Sequence, residues 1–129
     1  MHFTVWGQGN EIVLADAHFP GHSIHNKVMR AEGLKIDALL EDIMPLFILD
    51  QYVKNPLSMM APSEGDRLDP KVEVSYLKFI RISWPDTQPP ERIESFAFYN
   101  RARKTYTVVM TGDTAKYGTL ILKEEVTPC

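Results

Sequence analysis

The stretch NKVMRAEGLKIDALLEDIMP, residues 26–45, decides how the rest of the chain is read. Asn26 is a favourable helix N-cap, and Met29, Arg30, Ala31, Glu32, Leu34 and Lys35 are good helix formers. Val28, Ala31, Leu34, Lys35, Ala38, Leu39, Asp42 and Ile43 recur at helical spacing. With Ile36, Leu40 and Met44 the apolar surface is wider than one face, so the pattern predicts an enclosed helix over residues 27–43. Pro45 ends it near Ile43, because its ring removes a donor and disfavours helical geometry in the preceding residue.

Working outward, residues 3–6 and 11–14 are β-rich runs flanking the turn-forming Gly7-Gln8-Gly9-Asn10, and Pro20-Gly21 marks a turn. Beyond Pro45, residues 46–53 read as a strand and 57–60 as a short one. Residues 71–82 alternate, with Val72, Val74, Tyr76, Ile80 and Ile82 on one face, which predicts a long strand. The proline-rich residues 84–91 form a loop, and 92–100, 104–112 and 116–126 read as three further strands with short turns. One long helix followed by antiparallel strands predicts an α+β fold, the helix packed on one face of a curled sheet.

With 129 residues, 44% hydrophobic and 24% charged, the chain is sized and composed for a single globular domain, 1–129. A net charge of -3 gives no global electrostatic reason to expect nucleic acid or an anionic membrane as partner. The only cysteine is Cys129, so no intrachain disulfide forms. There is no secretory pattern at the N-terminus and no apolar run of the ~18 residues that a membrane span needs, and cytoplasm is the expected location.

Chemistry gathers at residues 17–34. His18 sits beside the Pro20-Gly21 turn, and imidazole is the side chain whose ordinary pKa, about 6.5, allows proton exchange near neutrality. A helix starting near Lys27 presents the backbone N–H groups of Lys27 and Val28 to that loop as oxyanion donors. Glu32, among Val28, Met29 and Ala31, would be an acid held protonated by desolvation. Base, oxyanion donors and acid are the parts needed to take a proton beside a carbonyl and expel a β-hydroxyl. A capping histidine and a solvated glutamate fit the same residues. His18, His22 and His25 raise zinc as an alternative, but Pro20-Gly21 breaks their helical spacing and no metal is expected. Arg101, Arg103 and Lys104, with Lys78 and Arg81, form the densest basic cluster, read either as solvated charge or as a docking patch for an acidic protein.

His18-Phe19-Pro20-Gly21, then Ile24, then Glu32 fourteen positions after the histidine with Gly33 behind it, resembles the active-site segment of the hot-dog-fold 3-hydroxyacyl-acyl carrier protein dehydratases. Pro62-Ser63-Glu64-Gly65-Asp66-Arg67-Leu68 resembles that family's Pro-Gly-Asp-x-Leu, and residues 116–122 its final strand. Asn26-Lys27 and Ser23 depart from its pattern, which has Pro-Gly and Pro there. The resemblance implies a long central helix wrapped by an antiparallel sheet, and a homodimer or higher oligomer in which one subunit's histidine faces the other's acid. It makes His18 the base, Glu32 the acid, Lys27 and Val28 the oxyanion donors, and Phe19, Pro20 and Gly21 substrate-binding residues. It implies no cofactor beyond the phosphopantetheine of acyl carrier protein or coenzyme A that carries the substrate, with acyl carrier protein as partner. The expected function is dehydration of a 3-hydroxyacyl thioester in fatty acid or polyketide synthesis. A hot-dog acyl thioesterase and a non-catalytic acyl-binding subunit are the alternatives.

Overall fold

In a computed structural model, residues 10–125 are described. The elements in order are strand β1 (Glu11–Ala15), a one-turn helix α1 (Gly21–Ile24), strand β2 (Val28–Ala31), helix α2 (Ile36–Ile43), a 3-10 turn (Met44–Leu46), strand β3 (Leu57–Met60), helix α3 (Pro70–Ser83), strand β4 (Glu91–Ile93), helix α4 (Ser95–Arg103), and strands β5 (Thr107–Thr111) and β6 (Leu120–Lys123). The strands form one mixed sheet in the order β2-β5-β1-β6-β3-β4. β1 and β2 run parallel to β5, and β3 runs parallel to β4. β6 is antiparallel to both β1 and β3, so five strands point one way and β6 the other.

The sheet lies between two helical layers. Ile12, Leu14, Leu120 and Leu122 face Ile36, Leu40, Tyr76 and Ile80 of α2 and α3. On the opposite face Val13, Ala15 and Ile121 pack with Phe98 and Ala102 of α4 and with Phe19. Fully burying a side chain of this size contributes about 1.5–3 kcal/mol, and Val13, Leu14, Leu120, Ile121 and Leu122 are all fully enclosed. Both faces being covered makes β1 a continuous apolar run rather than an alternating one.

The hot-dog expectation of an antiparallel sheet around one long helix is therefore overturned. The expected helix 27–43 divides in two: Val28–Ala31 pair with Val108–Thr111, and only Ile36–Ile43 are helical, ending where Pro45 predicts. Tertiary pairing outweighs local propensity in the first half, and the turn at Glu32-Gly33 separates the pieces. The expected strand 71–82 is helix α3, started by Asp69, whose carboxylate accepts the Lys71 N–H at 3.0 Å, and by Pro70 at the first helical position. Val74 and Ile82, assigned by alternation to the same face as Tyr76, are 65% and 72% exposed. Most of the expected strand 92–100 is helix α4, with Glu94 accepting from the Phe96 N–H. Residues 46–53 hold no strand beyond a single bridge from Leu49 to Glu124. β1, β3 and β5 lie within or close to their expected spans, and β6 is shorter than expected. The expected strand 3–6 and its turn at 7–10 fall almost wholly outside the described residues. Among the described residues no helix is long and apolar enough to cross a membrane.

One buried charge marks the end of β6. Glu124 is 3% exposed, its Oε1 has no hydrogen-bond partner among the described residues, and desolvation pushes its carboxyl from the usual 4.5 up to about 7. The folded state thus prefers the protonated form, and stability falls as pH rises from the unfolded value through about 7. Glu124→Gln is expected to raise stability at pH 8 by on the order of 1–3 kcal/mol and to gain little at pH 4.5, read from urea midpoints. An equal gain at both pH values would contradict this.

Candidate active site

β1 is followed directly by Asp16, which is 6% exposed and whose carboxylate organises the loop that follows. Its Oδ1 accepts the backbone N–H of His18 at 2.9 Å, and its Oδ2 accepts the Thr119 hydroxyl at 2.7 Å. The Thr119 Oγ1 in turn accepts the Asp16 N–H at 3.0 Å, locking the end of β1 to the start of β6. The Phe19 ring then turns inward, edge-on to Phe98 with centroids 6.1 Å apart and tilted against Tyr99 at 5.6 Å. Gly21 is required by packing: a Cβ there would stand 2.6 Å from the Met110 Sδ and 3.0 Å from a Val108 methyl.

This loop forms one side of a cavity of about 540 Å³ at the carboxyl ends of β1, β3 and β5, the edge at which open α/β sheets bind ligands. Asp16, His18, Thr114, Lys116 and Thr119 give it polar groups, and Phe19, Met60, Tyr99 and Tyr117 give it an apolar, mostly aromatic wall. A few polar groups set against aromatic rings is a surface suited to a small polyol, whose hydroxyls need partners while its C–H faces need apolar cover. Asp16 has acceptor capacity beyond its two bonds, and the exposed His18 lines the same cavity.

The other expected site residues lie elsewhere. Glu32 is in the turn after β2 with a side chain 52% exposed, 2.6 Å from the Arg30 guanidinium, which holds its carboxyl below the usual range. It is an ionised surface partner, not a desolvated acid. Lys27 and Val28 start no helix: the Lys27 N–H donates to the His25 Nδ1 at 2.9 Å, and Val28 opens β2. Pro20 is exposed, Gly21 is buried under Met110, and of the expected Phe19-Pro20-Gly21 set only Phe19 lines the cavity. His25 is fixed as the Nε2–H tautomer between the Thr105 carbonyl and the Lys27 amide. Among the described residues no three His, Cys, Asp or Glu side chains are arranged to hold a metal. Arg101 turns onto Glu11 and Glu91 rather than outward. Sequence reasoning missed Asp16, Lys116, Tyr117 and Thr119. The available signal was a carboxylate directly after a buried strand.

The sequence matches the RbsD / FucU transport protein family over residues 3–127. The chain belongs to the RbsD/FucU family. It is 55% identical over 122 residues to the L-fucose mutarotase of Actinobacillus pleuropneumoniae serotype 5b (strain L20), covering 95% of this chain and 85% of that one. The crystal structure of the fucose mutarotase from Streptococcus pneumoniae in complex with L-fucose superposes with a TM-score of 0.86 at 36% identity, over 96% of this chain and 88% of that one. FucU from Bifidobacterium longum superposes at 0.87 with 32% identity, over 96% and 90%. An RbsD/FucU chain of this similarity is not a hot-dog protein, and the expected dehydratase and thioesterase activities, both thioester chemistry, are overturned with the fold. The acyl carrier protein loses its basis as partner.

Proposed function

We propose that the protein is a sugar mutarotase that interconverts the α and β anomers of L-fucose. The observation that carries this reading is the cavity at the strand ends, which joins the Asp16 carboxylate and the His18 imidazole to an aromatic wall. The L-fucose mutarotase similarity supports the choice of sugar.

Anomer exchange needs two proton movements. In the closed ring the anomeric O1–H proton passes to a base as the C1–O5 bond breaks, C1=O1 forms, and O5 takes up a proton. Rotation about C1–C2 and reversal of these steps gives the other anomer. Asp16 accepts the O1 proton and His18 delivers one to O5, each contributing acid–base catalysis of typically 10²–10⁴-fold. The ring opens and recloses with proton transfers alone between sugar and protein and no net oxidation or reduction, so the reading requires no cofactor. Homo-oligomerisation and a cytoplasmic location belong to the same reading. The apolar Met29 and Leu34, 49% and 38% exposed on and just beyond the edge strand β2, support a contact between copies.

The test is NMR saturation transfer between the anomeric protons of L-fucose, with and without protein. The protein is expected to accelerate exchange, and His18→Ala to lower the acceleration at least tenfold with an unchanged fold. No acceleration by the unaltered protein would refute the assignment.

A further inference from the structure

Tyr117 is the only non-glycine residue with positive φ among the described residues, at 59°. That left-handed backbone costs a non-glycine residue free energy, so neighbouring contacts must impose it. Two sets of contacts do. The Gly118 carbonyl, one residue on, accepts the Tyr76 hydroxyl of α3 at 2.5 Å, and a Cβ on Gly118 would lie 3.0 Å from that same hydroxyl. Burial, with Asp113, Asp16 and Asp37 nearby, pushes the Tyr76 phenol above its usual range and keeps it a donor.

At the other end, the Tyr117 hydroxyl donates to Asp66 Oδ2 at 2.5 Å and accepts the Ser63 N–H at 3.1 Å. Lys116 binds the same carboxylate at 2.9 Å. Both the donor and the acceptor function of the Tyr117 hydroxyl are therefore taken up by the loop between β3 and α3. What Tyr117 contributes to the cavity is its ring.

We propose that Asp66 is a positioning residue: by gripping the Tyr117 hydroxyl it holds the ring as a stacking wall for the C–H face of the bound sugar. The sugar belongs to the mutarotase reading, on which this rests. A stacking wall touches ground state and transition state alike, so its loss raises KM and leaves kcat nearly unchanged.

Four variants test it: Asp66→Ala, Tyr117→Phe, Tyr117→Ala and the double variant Asp66→Ala/Tyr117→Ala. Anomer exchange is measured over a range of L-fucose concentrations. Asp66→Ala and Tyr117→Phe should each raise KM about five- to tenfold with kcat within about twofold. Asp66→Ala should add nothing once Tyr117 is Ala. An unchanged KM, or an equal Asp66→Ala effect in both backgrounds, overturns the proposal. Amide hydrogen exchange at Ser63 gives a readout free of sugar. If the unaltered protein does not accelerate exchange, the mutarotase reading fails while the grip is judged by this amide. Protection that is lost in Tyr117→Phe upholds the grip, and equal exchange in both proteins overturns it.

Discussion

Asp16→Asn is expected to lower the acceleration of L-fucose anomer exchange at least about a hundredfold, the lower range for loss of a general base. The amide is nearly isosteric and keeps one acceptor oxygen, which can still take the His18 N–H that Asp16 Oδ1 now takes at 2.9 Å. It cannot accept a proton from the sugar. Its NH2 would also face the Thr119 hydroxyl, which now donates to Oδ2 at 2.7 Å and must find another acceptor. A stability cost of about 1–3 kcal/mol therefore accompanies the loss of activity. Thr119→Val separates the two effects: it breaks the same hydrogen bond and leaves the carboxylate, so it should cost similar stability while losing far less of the activity. Asp16→Asn retaining more than about a tenth of the acceleration would remove Asp16 from the base role assigned to it.

The largest expected effect on stability belongs to Gly112→Ala. A Cβ on Gly112 would stand 2.1 Å from the Glu32 carbonyl oxygen and 3.1 Å from its carbon, both backbone atoms that no side-chain rotation can clear. The Gly112 N–H also bonds the Leu34 carbonyl at 2.9 Å, so the turn before α2 sits directly on β5's exit. Pushing that turn away would pull Ile36 from Asp113, whose Oδ2 accepts its N–H at 3.0 Å and so caps α2 from a distant part of the chain. We expect a loss of about 3 kcal/mol or more, with Tm lower by roughly 10 °C. Gly33→Ala is the control, since nothing lies within 4 Å of a Cβ there, and it should change stability by under about 1 kcal/mol. Similar Tm values for the two variants would show the turn to be softer than its geometry implies.

His18 and Phe19, which line the cavity, could be singled out from the sequence as candidates because of the local chain: a strand ends, an aromatic dives inward, and a Pro-Gly turn follows. That demand also explains why the hot-dog resemblance misled. Gly21 is fixed by Met110 and Val108, and Phe19 by Phe98 and Tyr99, a packing solution that is not tied to one fold. The spacing to Glu32 carried no chemistry, since Glu32 serves Arg30 at the surface. For α3, Asp69-Pro70 was a legible helix start that alternation at Val72, Val74 and Tyr76 obscured. For β2 nothing local sufficed, because Val28–Ala31 is a strand only through β5, whose residues lie far along the chain. The missing half of the cavity was illegible for the same reason. Thr119 reaches Asp16, and Asp66 reaches Tyr117, through pairings that only the assembled sheet creates.

The place of β6 in the sheet has a consequence for biogenesis. The last strand of the described chain is not added at an edge but fills the gap between β1 and β3. Until it leaves the ribosome, β2, β5 and β1 on one side and β3 and β4 on the other have no strand to join them, and the Asp16–Thr119 contact has no second partner. Without β6 the described sheet falls into two unjoined parts, so a chain cut before Leu120 is expected to go to the proteases rather than to persist as a shortened protein.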